Sequence, residues 1–193
     1  MLVCLSSPSG GGKTTVCHAL RKRQEDYRFS VSCTTRDPRE GEEGGVDYHF
    51  LDREEFERRV RNGEFAEFEE VHGHFYGTLK STIEEAIARG EVLLVDIDVK
   101  GALNLKRLYK DRCLTIFLDP PSLDELKDRL RGRDTESQEQ VDTRIQRLEM
   151  ELEYGKHFDL EFINDKLDET VSRVHQAIER KRHDLREEIT HGS

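Results

Sequence analysis

Leu2-Val3-Cys4-Leu5-Ser6-Ser7-Pro8-Ser9-Gly10-Gly11-Gly12-Lys13-Thr14-Thr15 is the stretch from which the rest of the chain is read. An apolar run leads into a glycine-rich turn, and residues 13–24 then look helical. Strand, loop and helix in that order gather backbone N–H groups into a concavity that holds phosphate oxygens. Glycine is needed there because a side chain would block close approach and resist positive φ. The full pattern is G-x-x-x-x-G-K-[ST]. Gly12-Lys13-Thr14 fits it, and Ser7 stands at the position of the first glycine. Lys13 is in a position to reach outer phosphates, and Thr14 to offer its hydroxyl to Mg²⁺. Ser7, Pro8, Ser9, Gly10, Gly11, Gly12 and Thr15 complete the expected phosphate cradle. A glycine turn without a ligand is the alternative.

Working outward, Phe29-Ser30-Val31-Ser32 reads as one short extended run. Residues 35–48, with Asp-Pro, Gly-Glu and Gly-Gly, read as loop. Asp52-x-x-Glu55 and Ser81-x-x-Glu84 are capping signals, the first opening a helix with Phe56 and Val60 on one face. Residues 64–79 suit short strands. Val92-Leu93-Leu94-Val95 and Cys113 to Leu118 are continuous apolar runs, as in strands buried on both faces. Ser122-x-x-Glu125 caps a further helix with Leu123, Leu126 and Leu130 at its buried positions. Val141, Ile145, Leu148 and Leu152 mark another, and Val171, Val174, Ile178, Leu185 and Ile189 a long C-terminal one, after a short strand at 160–163. The polar stretch 131–139 is the segment expected to move. Alternating strands and helices predict an α/β fold with a parallel sheet.

The chain has 193 residues, enough for one domain with a sizeable core. Its net charge of −10 argues against nucleic acid as the main partner. An acidic chain that binds polyanions must cluster arginines and lysines locally. No apolar run approaches the ~20 residues of a membrane helix, and Met1 leads straight into a strand, so the expected location is cytoplasmic. Cys4, Cys17, Cys33 and Cys113 lack the spacing of a zinc site and read as buried apolar residues.

Beyond the phosphate loop, the chain carries Ser30-Val31-Ser32-x-Thr34-Thr35-Arg36-x-Pro38-Arg39 and Gly41-Glu42. It continues with Asp47-Tyr48-x-Phe50, Phe65-x-Glu67, Phe75-Tyr76-Gly77-Thr78, Asp96-Ile97-Asp98, Arg129-Leu130-x-x-Arg133 and Ile163-Asn164-Asp165. In this order the motifs resemble those of guanylate kinases, nucleoside monophosphate kinases that move phosphate from ATP to GMP. The resemblance covers nearly the whole chain. It implies a three-layer P-loop kinase fold with a parallel-sheet core (1–32, 81–121, 152–193), an inserted GMP-binding lobe (33–80) and a helical lid (122–151). It implies ATP and GMP as small-molecule substrates, Mg²⁺ as the accompanying ion, and no obligatory protein partner. Lys100 and Lys166 depart from the residues common at those positions.

The resemblance also assigns roles. Glu67 would read guanine, whose N1–H and N2–H₂ are two parallel donors that one carboxylate accepts together. Without the resemblance, Glu67 is one glutamate of an acidic stretch with Glu64, Glu69 and Glu70. Ser32 and Thr78 would touch the base, beside Gly77. Arg36, Arg39, Tyr48 and Tyr76 would hold the GMP phosphate, since arginine forks fit phosphate oxygens. Asp98 would face GMP, and Asp96 would support Mg²⁺ through water or cap the loop. Arg133 and Arg144 would neutralise the transition state from the lid, with Arg129 joining them or contacting the adenine end. Two other classes compete: a phosphopeptide-holding scaffold domain, which typically loses the loop lysine or glycines, and a sugar kinase, which needs no guanine reader.

Overall fold

The computed structural model of the chain describes all residues except Ser9, His72, Glu125, 127–137 and 192–193, and gives the backbone alone at 138–142, 144 and 189–191. The strands are β1 (Leu2–Ser6), β2 (Tyr27–Phe29), β3 (Ser32–Thr34), β4 (Tyr48–Phe50), β5 (Phe65–Val71), β6 (His74–Leu79), β7 (Val92–Asp96), β8 (Cys113–Asp119) and β9 (Leu160–Ile163). The helices are α1 (Lys13–Arg23), α2 (Arg53–Arg61), α3 (Lys80–Ala88), α4 (Val99–Tyr109), α5 (Gln138–Gly155) and α6 (Leu167–His191).

β1 is buried along its whole length and forms the middle of a five-stranded sheet, β2-β7-β1-β8-β9. Every pairing in it is parallel. Successive side chains point to opposite faces, and the packing follows. Val3 and Leu5 meet Val16 and Leu20 of α1 and Val174 and Ile178 of α6. Leu2 and Cys4 meet Ile83 of α3 and Ala102 and Leu105 of α4, with Met150 and Leu152 of α5 packed against the same cluster. Helices therefore cover both faces, giving a three-layer α/β fold whose strands end, at their carboxyl termini, where ligands bind in such sheets.

A second, four-stranded sheet, β4-β3-β6-β5, is mixed: β3 runs parallel to β4, and β6 is antiparallel to both β3 and β5. Its core is small: Cys33, Phe56 and Phe65, with Leu51, Val60, Phe75 and Leu79 packed around them. Phe56 stacks on Phe65 with centroids 4.5 Å apart and on Phe75 at 5.3 Å. Gly77 makes room for these rings, since a Cβ there would lie 2.8 Å from Phe65 Cδ1.

Three local expectations change, and one helix had none. The run Phe29–Ser32 is divided: Phe29 ends β2 in one sheet, Ser32 opens β3 in the other, and Ser30-Val31 crosses between them. Residues 35–48 are not wholly loop, because Tyr48 opens β4 opposite Ser32. The cap expected at Ser81 is absent; α3 begins at Lys80, straight out of β6, with Leu79 at its N-cap and no side-chain cap bond. Helix α4 had no sequence expectation, yet Asp98 caps it by accepting from Gly101 N at 2.8 Å. The Asp52 cap forms as read, accepting from Glu55 N at 2.7 Å. All four cysteines are buried and free. Of the segment expected to move, 131–137 lies outside the described residues. The cap Ser122-x-x-Glu125 and Leu130 fall partly there as well.

Candidate active site

The loop between β1 and α1 explains why Ser7 can replace a glycine. Among its described residues the left-handed positions are Gly10 (φ 82°) and Gly12 (φ 81°), whereas Ser7 needs no such conformation. Gly11 must also lack a side chain, since a Cβ would fall 2.7 Å from Ser7 Oγ. The loop is pinned by Gly11 N donating to Pro8 O at 2.8 Å. From beyond β9, Asn164 Nδ2 donates to Gly11 O at 2.7 Å. A Cβ at Gly12 would press on that amide. Asn164 was visible in the Ile163-Asn164-Asp165 motif, but nothing local to it announces a contact 153 residues away.

Asp96, the last residue of β7, organises the donor side. Thr14 Oγ1 donates to Asp96 Oδ2, and Lys13 Nζ lies 3.7 Å from Asp96 Oδ1. A hydroxyl and a carboxylate side by side are the hard oxygen donors that Mg²⁺ takes together with nucleotide phosphates. Thr15, in the first turn of α1, is exposed.

Between the two sheets lies a cleft with two compartments. The first, about 270 Å³, is lined by Ser7, Lys13, Ser32, Glu67, Thr78 and Asp98, among others. Glu67 is 9% exposed, and Thr78 donates its hydroxyl to Glu67 Oε1 at 2.6 Å. Gly101 is required beside it, since a Cβ there would sit 2.7 Å from Glu67 Oε2. Burial pushes the Glu67 carboxyl up to about 7; the Thr78 hydrogen bond opposes the shift and the Asp98 charge adds to it. A carboxylate buried this way is poised to gain from two incoming N–H donors.

The second compartment, about 300 Å³, is lined by Thr14, Ser30, Arg36, Arg39, Tyr48 and Tyr76, among others. Ser32, Arg39, Tyr48, Tyr76 and Asp96 line both. Tyr48 and Tyr76 meet edge to face at 6.0 Å, and the Arg36 guanidinium lies 5.5 Å from the Tyr48 ring centroid. Burial pushes the Tyr48 hydroxyl up to about 12. Glu42 holds both arginines. It accepts from Arg36 Nη2 at 2.9 Å and from the backbone N of Arg39 at 2.7 Å. The hydrogen bond to Arg36 keeps its carboxyl below the usual range.

Sequence reading gave no role to Glu42, Arg147 or Glu151. Arg147 Nε donates to Glu151 Oε1 at 3.0 Å, and both line the first compartment from α5. An i,i+4 Arg–Glu pair is common on a solvated helical face, so its spacing alone does not mark a site. Ser9, Arg129 and Arg133 lie outside the described residues, as does the side chain of Arg144; Arg144 lies within α5 by its backbone.

A glycine loop at the carboxyl end of a central parallel strand, followed by Lys-Thr on a helix and facing an acceptor cleft, defines a P-loop phosphotransferase. The family model "Guanylate kinase" matches residues 1–181, and the chain belongs to that family. Guanylate kinase of Chlorobium luteolum is 49% identical over 92% of this chain and 90% of its own. That of Chlorobaculum tepidum is 50% identical over 90% and 89%. The crystal structure of guanylate kinase from Anaplasma phagocytophilum matches with a TM-score of 0.79 at 33% identity, covering 94% of this chain and 86% of that one.

Proposed function

We propose a division of labour between the two compartments for the reaction of this enzyme, a guanylate kinase that transfers the γ-phosphate of ATP to GMP. The observation that carries it is Glu67: a buried carboxylate in a cleft that opens onto the phosphate loop. Guanine donates from N1 and N2, so Glu67 accepts both bonds, while Ser32, Thr78 and Asp98 flank the base. Adenine presents an acceptor at N1 and leaves the carboxylate unpaired. A hydrogen-bonding site of this kind discriminates by roughly 10⁴–10⁵.

Arg36, Arg39, Tyr48 and Tyr76 hold the acceptor phosphate. Its second pKa is about 6, so it is largely dianionic at neutral pH and needs no general base. Lys13 and the loop amides hold the β- and γ-phosphates of ATP. Mg²⁺, coming with ATP, would be held by Thr14 and, through water, by Asp96; it supplies charge neutralisation at the phosphates. Catalysis is then positioning plus neutralisation of in-line transfer. Arg133 and Arg144, with Arg129, complete the clamp from a lid at 122–151, and residues 33–80 act as the GMP lobe. The setting proposed is cytoplasmic, with the two nucleotides as partners and neither nucleic acid nor membrane. Among the described residues no helix is long and apolar enough to cross a membrane.

A coupled ADP-release assay across GMP, dGMP, AMP, CMP and UMP tests this. Strong turnover of GMP, weaker turnover of dGMP and almost none of AMP are expected. Equal rates with AMP would remove Glu67 as the base reader.

A further inference from the structure

Two buried side-chain polar atoms have no hydrogen-bond partner among the described residues: Ser30 Oγ and Arg36 Nε. Both residues line the same compartment of the cleft. A buried group left unpaired carries its full desolvation penalty, so an orphan in a cleft points to a ligand that completes it. Arg36 Nε is a donor only, so whatever satisfies it must be an acceptor. Ser30 is 2% exposed and sits where the chain crosses from the first sheet to the second. Its backbone N still donates to Leu94 O at 2.8 Å, as if extending β2 beside β7. This fixes Ser30 at the carboxyl end of the sheet, next to the strand that ends in Asp96.

We propose that the Ser30 hydroxyl donates a hydrogen bond to a phosphoryl oxygen of the acceptor nucleotide and is a further positioning contact of the acceptor phosphate. A phosphate monoester offers three terminal oxygens, so one group can satisfy Ser30 Oγ and Arg36 Nε together while Tyr48 and Tyr76 donate from the same compartment. The placement has a mechanical consequence. Arg36, Tyr48 and Tyr76 stand on or beside the second sheet, whereas Ser30 is tied to the first, which also carries the phosphate loop. A bond from Ser30 therefore registers the acceptor phosphate against the donor half of the molecule. The inference rests on the acceptor reading given above.

The test is Ser30→Ala, with GMP and guanosine as paired probes. Guanosine has the same base and sugar and no phosphate. Titration calorimetry should show GMP affinity reduced about tenfold or more and guanosine affinity unchanged. The KM for GMP should rise while that for Mg·ATP stays put. The thermal midpoint of the ligand-free variant should be equal to or above that of the parent, because the orphaned hydroxyl is gone. Equal weakening of GMP and guanosine would overturn the proposal, since that pattern belongs to a structural role. So would a rise in the Mg·ATP KM alone, which would give Ser30 to the donor side, or no change at all. Ser30→Thr keeps the hydroxyl and should recover part of the GMP affinity; recovery no better than alanine in a folded variant counts against the contact. Failure of the parent enzyme to prefer GMP over AMP would sink the acceptor reading itself, whatever Ser30 does.

Discussion

The two halves of the cleft are built on opposite plans. The phosphate loop is fixed by the backbone. Two left-handed glycines, an internal turn and the Asn164 amide define its shape, and it stands on a strand buried on both faces. The acceptor half is fixed by side chains. Its sheet rests on a core of a few aromatic rings, its arginines are held by Glu42, and its proposed base reader, Glu67, is a carboxylate buried at a cost. A cradle of backbone amides serves any nucleotide phosphate. Recognition of one base requires side chains whose pairing is incomplete until that base arrives. The difference teaches where specificity sits: the donor half is general because backbone builds it, and the acceptor half is particular because side chains do.

The largest effect that would break this comparison is at Lys13. Lys13→Ala should lower turnover by about 10³-fold or more, because the outer phosphates lose their only loop cation, while the thermal midpoint stays near that of the parent. Near-normal turnover in a folded variant would remove Lys13 from the chemistry and revive a non-catalytic reading of the domain.

Phe56→Ala should strike the acceptor half alone. Removing this ring from so small a cluster should cost about 3–5 kcal/mol. Because the first sheet has its own core, ATP binding should outlast GMP binding as denaturant is added. Coincident loss of both would mean that the two halves unfold as one unit.

Arg36→Ala is expected to raise the GMP KM about 10- to 100-fold with a smaller change in kcat, since a charged hydrogen bond made in ground and transition state alike is lost. A fall in kcat with KM unchanged would move Arg36 into the transition-state set.

The smallest effect is pH dependence, with opposite signs for stability and for binding. Glu67 ordinarily titrates near 4.5 and here near 7. Between those values the folded protein holds the extra proton. Ligand-free stability should therefore fall as pH rises from about 4.5 to about 7. Guanine needs the carboxylate, so kcat/KM for GMP should fall up to about tenfold per pH unit below 7. The substrate phosphate, with its own pKa of about 6, adds a second bend at lower pH. A profile flat between 6 and 8 would mean that Glu67 is already ionised in the free enzyme.

How much of this was legible in the chain follows the same division. The phosphate loop and the buried strands were readable because backbone-built structure leaves local marks: glycines at left-handed turns, and unbroken apolar runs where both faces are covered. Helix α4 escaped because Asp98, which caps it, reads in the sequence only as a ligand-facing residue after the strand. The split at Ser30-Val31 escaped because an extended chain looks the same whether it stays in one sheet or crosses to another. Glu67 is the sharpest case. Among neighbouring glutamates its charge marks it as solvent-facing, and only the fold, through the Gly101 gap and the Thr78 hydroxyl, makes it buried. Asn164 reaches the phosphate loop, and the Arg147–Glu151 pair the cleft, through tertiary placement that no local signal announces.

The central claim, that one buried carboxylate makes the acceptor half particular, is tested most directly by the ratio of kcat/KM for GMP to that for AMP, measured in the parent and in Glu67→Gln. A glutamine amide presents one donor and one acceptor, which no longer matches guanine's two donors and suits adenine's N1 and N6 better. The ratio should be large in the parent and collapse by about 10³-fold or more in the variant, with ATP binding unaltered. The same ratio in both proteins would contradict the account and put the reading of the base elsewhere in the cleft.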